Sequence, residues 1–172
     1  MGAATFFCAI RFTTDELVKT VLLLRHGEES SDKNSLDLSD VGRTRAEKLA
    51  AFIPRKFGKP DFIVAAAPTG SSVRAYLTMR PLADATEVCI DGSFKARDFA
   101  QLASKLLVDP AYDGKRVVIC WTHTELPALA GALHVRTTDF PEAWDEQVFN
   151  QIFQLSYKGS GRPKVKQVGQ PF

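Results

Sequence analysis

Arg25-His26-Gly27-Glu28 follows directly on the apolar run Thr20-Val21-Leu22-Leu23-Leu24, and Trp121-Thr122-His123 closes another run, Arg116-Val117-Val118-Ile119-Cys120-Trp121. The chain has only three histidines, and two of them stand at equivalent places, the carboxyl ends of strand-like segments. If those segments are neighbouring strands, both imidazoles project into one crevice. Arg25, beside the first imidazole, brings a planar fork of donors that suits phosphate oxygens. Ser71-Ser72-Val73-Arg74 follows a further run, Asp61-Phe62-Ile63-Val64-Ala65-Ala66, and carries a second guanidinium toward the same rim. Two arginines and two histidines make a cationic pocket the size of a tetrahedral dianion, and N–H groups at a helix start after His123 would add to it.

The three runs are continuous and apolar, as strands buried on both faces must be. Between the first two, Ser39 or Asp40 can cap a helix whose apolar positions are Ala46, Leu49, Ala50 and Ile53, with Pro54 as its stop. Ser71 and Ser72 can cap a second helix through Ala75, Leu77 and Met79, ending near Pro81, before a weaker strand over 87–90. Phe99, Leu102 and Leu106 mark a third helix, ended by Asp109-Pro110, and 126–133 a fourth. Residues 149–157 alternate as a strand that pairs with 163–168 across Gly159-Ser160-Gly161. Strands alternating with helices predict an α/β fold: a single domain over 1–172, with a mostly parallel central sheet flanked by helices on both faces. In such sheets ligands sit beyond the carboxyl ends of the strands, where His26 and His123 are.

Composition excludes other classes. A chain of 172 residues is one domain at roughly 150 residues each, and 45% hydrophobic with 24% charged residues is ordinary for a globular protein. Lys+Arg 22 against Asp+Glu 20 gives +2, too mild for a nucleic-acid or anionic-membrane surface. No apolar stretch approaches the ~20 residues of a membrane helix, so no membrane contact is expected. Cys8, Cys89 and Cys120 have no metal-ligand spacing, and their odd number argues for a reducing compartment. The start, Met1 to Phe6, has neither a basic leader nor a myristoylation signal, which points to the cytoplasm. Gly58-Lys59, Gly92 and Gly159-x-Gly161 fit no phosphate-loop or dinucleotide fingerprint, so no nucleotide cofactor is expected.

Leu23-Leu24-Arg25-His26-Gly27-Glu28, then Leu38-Ser39-x-x-Gly42-x-x-x-Ala46, then Arg74-Ala75-x-x-Thr78, then the strand-end His123, resemble the histidine phosphatase superfamily, also called phosphoglycerate-mutase-like, over about residues 20–134. The resemblance implies that His26 is the nucleophile that becomes phosphorylated and that Arg25, Arg74 and His123 clamp the phosphoryl oxygens. It implies no metal or other cofactor, and a phosphorylated small molecule or a phosphohistidine protein as partner. Gly27 would let the backbone approach that ligand closely, and Arg80 is the substitute for Arg74 if the alignment slips.

The pattern departs from the family at the leaving-group acid. In one branch a carboxylate follows the second histidine directly, but here Glu125 comes one position late. In the other a mid-chain glutamate serves, and Glu87 and Asp91 are nearest, which leaves Glu125 and Asp91 as alternatives. Ala67-Pro68 stands in place of Ser-Pro and Thr122 in place of glycine. The short mid-chain segment leaves little room for a cap, so the outline looks most like the short SixA-type phosphohistidine phosphatases. The rival reading is a module on the same fold that holds phosphate or a phosphorylated protein without turning it over. A metal on His26 and His123 is not expected, since the arginines repel a cation and no cysteine or carboxylate completes the set. Glu28 is open between a solvated loop carboxylate and a site residue, Glu29 reads as solvated, and His134 as a partner of a helix dipole.

Overall fold

The computed structural model describes residues 19–32, 34–159 and 161–172; Cys8 and the N-terminal expectations lie outside the described residues, as does Ser160 of the expected turn. Six strands form one sheet: β1 (Lys19–Arg25), β2 (Phe62–Ala65), β3 (Ile90–Asp91), β4 (Arg116–Trp121), β5 (Gln151–Tyr157) and β6 (Lys164–Gly169). Their order is β3-β2-β4-β1-β5-β6, with β1 to β4 parallel and β5 and β6 antiparallel. Val21 to Leu24, Val117 to Trp121 and Ile63 to Ala65 are all buried. Consecutive strand residues point to opposite faces, so both faces of the sheet are covered. Four helices do this: α1 (Asp40–Phe57) packs on α2 (Arg74–Thr86), and α3 (Phe99–Val108) on α4 (Leu126–Ala132). No helix among the described residues is long and apolar enough to cross a membrane.

Ser39 caps α1, its hydroxyl accepting from Gly42 N at 3.1 Å, as expected. The two proline stops are wrong. Pro54 lies inside α1 and Pro81 inside α2, and each helix runs on, to Phe57 and Thr86. A proline forfeits one backbone hydrogen bond, but Phe57 past Pro54, and Leu82 and Ala83 past Pro81, pack on the core and hold the last turns in place. Helix α2 begins later than its serines suggest, with Val73 at the cap position, while Thr69 Oγ1 accepts from Ser71 N and Ser72 N in a tight turn. The weak third strand shortens to two residues because Glu87, expected to start it, adopts φ 56° and ends α2. Cys89 is exposed, whereas Cys120 is buried.

The chain steps outward from β1 to β2 to β3, then returns to insert β4 between β1 and β2. That reversal opens a crevice at the carboxyl ends of β1 and β4.

Candidate active site

Parallel pairing sets Arg25 opposite Trp121, and His26 N continues the ladder by donating to Trp121 O at 3.3 Å. The residues just beyond both strands therefore meet: the rings of His26 and His123 lie 6.3 Å apart, edge to face at 70°. His26 is 3% exposed, and its Nδ1 is 2.8 Å from the Gly27 carbonyl. A carbonyl only accepts, so Nδ1 carries the proton and Nε2 holds the free lone pair. Burial pushes the His26 pKa down to about 4, with Arg25 and Arg74 adding to the effect against the opposing Gly27 carbonyl and Glu29. The ring is thus neutral at pH 7. Burial and then Arg25 also lower His123, whose Nδ1 is buried with no hydrogen-bond partner among the described residues.

The two guanidiniums reach the same carboxylate. Arg25, 2% exposed, donates from Nη1 to Glu146 O and lies over the Phe149 ring, 3.8 Å from its centroid. Its Nη2 is 3.4 Å from Glu29 Oε1. Arg74, first residue of α2, is braced by Ser35 O at 3.0 Å and Asp37 O at 3.3 Å, and its Nη1 is 3.4 Å from Glu29 Oε2. Glu29 Oε1 is also 3.8 Å from His26 Nε2. One carboxylate thus spans both arginines and the free imidazole nitrogen, which is where an anionic ligand would sit.

Glu29 is the residue the sequence reading missed. It is not a freely solvated loop carboxylate, because a bridge between Glu29 and Leu38 turns the loop back over the crevice. The legible signal was its place three residues after His26 and four after Arg25. Glu28 points the other way, gripped by Arg45 at 2.6 Å, while Arg45 also donates to Gln170 Oε1 and Phe172 O. Burial pushes the Glu28 carboxyl up, but Arg45 outweighs it and leaves the group below its ordinary value. The expectation that no carboxylate completes a metal set is also overturned: His26, Glu29 and His123 bring ligand atoms within 4.8 Å of one another.

Gly27 also packs closely within the protein. Its N–H donates to Thr78 Oγ1 at 2.9 Å, and a Cβ there would meet Gly42 O at 2.9 Å. The close approach it permits within the protein is to the first turn of α1. The two candidate acids are placed very differently. Glu125 occupies the cap position of α4, two residues beyond His123 and half-buried. Asp91 is not brought to His26. Its carboxylate accepts from Ser93 N at 3.0 Å and Ser93 Oγ at 2.6 Å and faces Lys105. It also lies on β3, with β2 and β4 between it and β1, three strand spacings or roughly 14 Å.

The sheet order and flanking helices define a phosphoglycerate-mutase-like α/β fold, and solved structures match it. A protein histidine phosphatase, SixA, in complex with tungstate superposes at a TM-score of 0.63 and 14% identity, over 87% of this chain and 96% of that one. A mycobacterial glucosyl-3-phosphoglycerate phosphatase holding inorganic phosphate does so at 0.58 and 17%, over 90% and 97%. No family profile matches the sequence. No curated protein matches it either.

Proposed function

We propose that the chain is a histidine phosphatase that hydrolyses a phosphomonoester or a phosphohistidine through a phosphoryl group carried on His26. The observation that supports this most is the convergence of the unprotonated His26 Nε2 with one Nη each from Arg25 and Arg74 on a single anion-sized position. In the first step Nε2 attacks phosphorus in line, the Nε2–P bond forming as the bond to the leaving oxygen or nitrogen breaks. Arg25, Arg74 and His123 stabilise charge on the three equatorial oxygens. Glu125 is the proposed donor of the leaving-group proton, since it flanks His123 whereas Asp91 is engaged elsewhere. In the second step water gives a proton to the Glu125 carboxylate as it attacks phosphorus, Nε2–P breaks, and orthophosphate departs with His26 neutral and Glu125 protonated again.

No step needs a metal or an organic cofactor. The partner is a phosphorylated small molecule or a phosphohistidine protein, and the free thiols of Cys89 and Cys120 support a reducing, cytoplasmic setting. The test is turnover of p-nitrophenyl phosphate and of phosphohistidine without added metal, with acid-quenched enzyme analysed for phosphohistidine. Turnover and a label on His26 are expected, both lost in His26→Ala. Binding of phosphate with neither turnover nor label would assign the chain to a phosphate-binding role instead.

A further inference from the structure

We propose that His26, Glu29 and His123 form a binding site for a transition-metal dication of the zinc type, and that a metal held there excludes phosphate from the crevice. Two imidazoles and a carboxylate are the donor set that suits Zn²⁺ with open positions left for water. Their ligand atoms lie within 4.8 Å of one another, and His26 Nε2 is 3.8 Å from Glu29 Oε1. Tetrahedral zinc with bonds of about 2.1 Å needs ligand separations of roughly 3.4 Å, so closure takes movements of an ångström or so. Glu29 and His123 are both partly exposed.

The shell around these donors favours coordination. The His26 Nδ1–H to the Gly27 carbonyl, at 2.8 Å, is the bond that presents Nε2 to a metal in many histidine sites. Neither ring nitrogen of His123 is hydrogen-bonded among the described residues: Nδ1 has no partner, and Nε2 faces Glu146 Oε1 only at 3.8 Å. The obvious objection is the arginine pair. Yet Glu29 and Glu146 supply two negative charges beside Arg25 and Arg74, so the unliganded crevice has no net formal charge with which to repel a cation. A metal would take the His26 lone pair and hold Glu29 across both guanidiniums. Phosphate needs that lone pair and those guanidiniums, so the two ligands compete. Only this competition rests on the function proposed above.

The test is calorimetric titration of the chain with Zn²⁺ alone, in phosphate-free buffer and again with saturating phosphate, for wild type, Glu29→Gln and His123→Ala, each checked by circular dichroism for a native fold. Expected are one Zn²⁺ per chain, affinity roughly tenfold or more weaker in each variant, and weaker binding when phosphate is present. Absence of saturable one-to-one binding, or Glu29→Gln binding Zn²⁺ as tightly as wild type, overturns the proposal. Zinc binding of the expected kind in a chain that never accepts phosphate on His26 would support the metal site while refuting the phosphatase. Turnover in a chain that ignores Zn²⁺ would do the reverse.

Discussion

Replacing Glu29 by glutamine should tighten phosphate binding, an unusual outcome for a change in the middle of a polar site. In the unliganded protein the Glu29 carboxylate lies 3.4 Å from Arg25 Nη2 and 3.4 Å from Arg74 Nη1, so an incoming phosphate must break both contacts before it can use either guanidinium. The Glu29 side chain is 38% exposed, and such pairs are screened by water, which limits each to about 0.2–1 kcal/mol. Together they set a displacement cost of about 0.4–2 kcal/mol, or a change of about 2- to 30-fold in Kd. Repulsion between the carboxylate and the phosphate dianion has the same sign, so the upper half of that range is expected. The assay is calorimetric titration with inorganic phosphate or orthovanadate, at low salt and at high salt, where screening should narrow the difference between variant and wild type. An unchanged or weaker affinity in Glu29→Gln would refute the reasoning, because Glu29 would then be a ligand of the bound anion and not its competitor. The same variant should lose zinc affinity, so the two titrations are expected to move in opposite directions.

His26 has a pKa of about 4 in the folded chain against about 6.5 when unfolded, so between those values only the unfolded chain takes up the proton. The His26 contribution to stability is therefore fully present above pH 6.5 and declines as the pH falls toward 4, by up to about 3 kcal/mol; urea unfolding across this range should show a steeper slope in wild type than in His26→Asn, where only groups such as His123 still contribute. His26, the proposed nucleophile, should also remain unprotonated at pH 5, so the loss of phosphoryl transfer on acidification, followed by rapid quench, should not set in near 6.5. Gly42→Ala would push a methyl group into the backbone carbonyl of Glu28; overpacking of this kind costs typically 1–3 kcal/mol, and both the thermal midpoint and the phosphate affinity should fall. Arg25→Lys keeps the charge but loses the fork and the stacking on Phe149. With hydrogen bonds to charged groups worth about 1.5–3 kcal/mol, phosphate should bind about 10- to 100-fold more weakly.

Much of the architecture was legible because it depends on short-range pattern. The runs that became β1, β2 and β4 are apolar without interruption, as strands covered on both faces must be, and Ser39 announces α1 through a hydroxyl that needs only local geometry to find Gly42 N. The helix ends were misread where packing outweighed a local rule, at Pro54 and Pro81, and the third strand shifted because Glu87 took a left-handed conformation to end α2.

For the site, the residues Arg25, His26, Arg74 and His123 could be named from their types and from the segments that precede them. Their order along the chain does not by itself bring them together. It is the insertion of β4 beside β1 that puts the two imidazoles 6.3 Å apart, 97 positions distant in sequence, and the start of α2 that turns Arg74 toward them. Glu29 and Asp91 show the same division most clearly. Both are acidic residues near the end of a strand, indistinguishable by local pattern. One is folded back over the crevice by the bridge to Leu38, and the other is held at the sheet edge by Ser93 and Lys105. Local sequence specifies which chemical groups are available and which backbone element carries each, because turns, caps and burial patterns act over a few residues. Which of those groups share a pocket, which ring nitrogen is free and which carboxylate faces the arginines are decided by strand order and loop packing, where interactions between distant parts of the chain set the outcome.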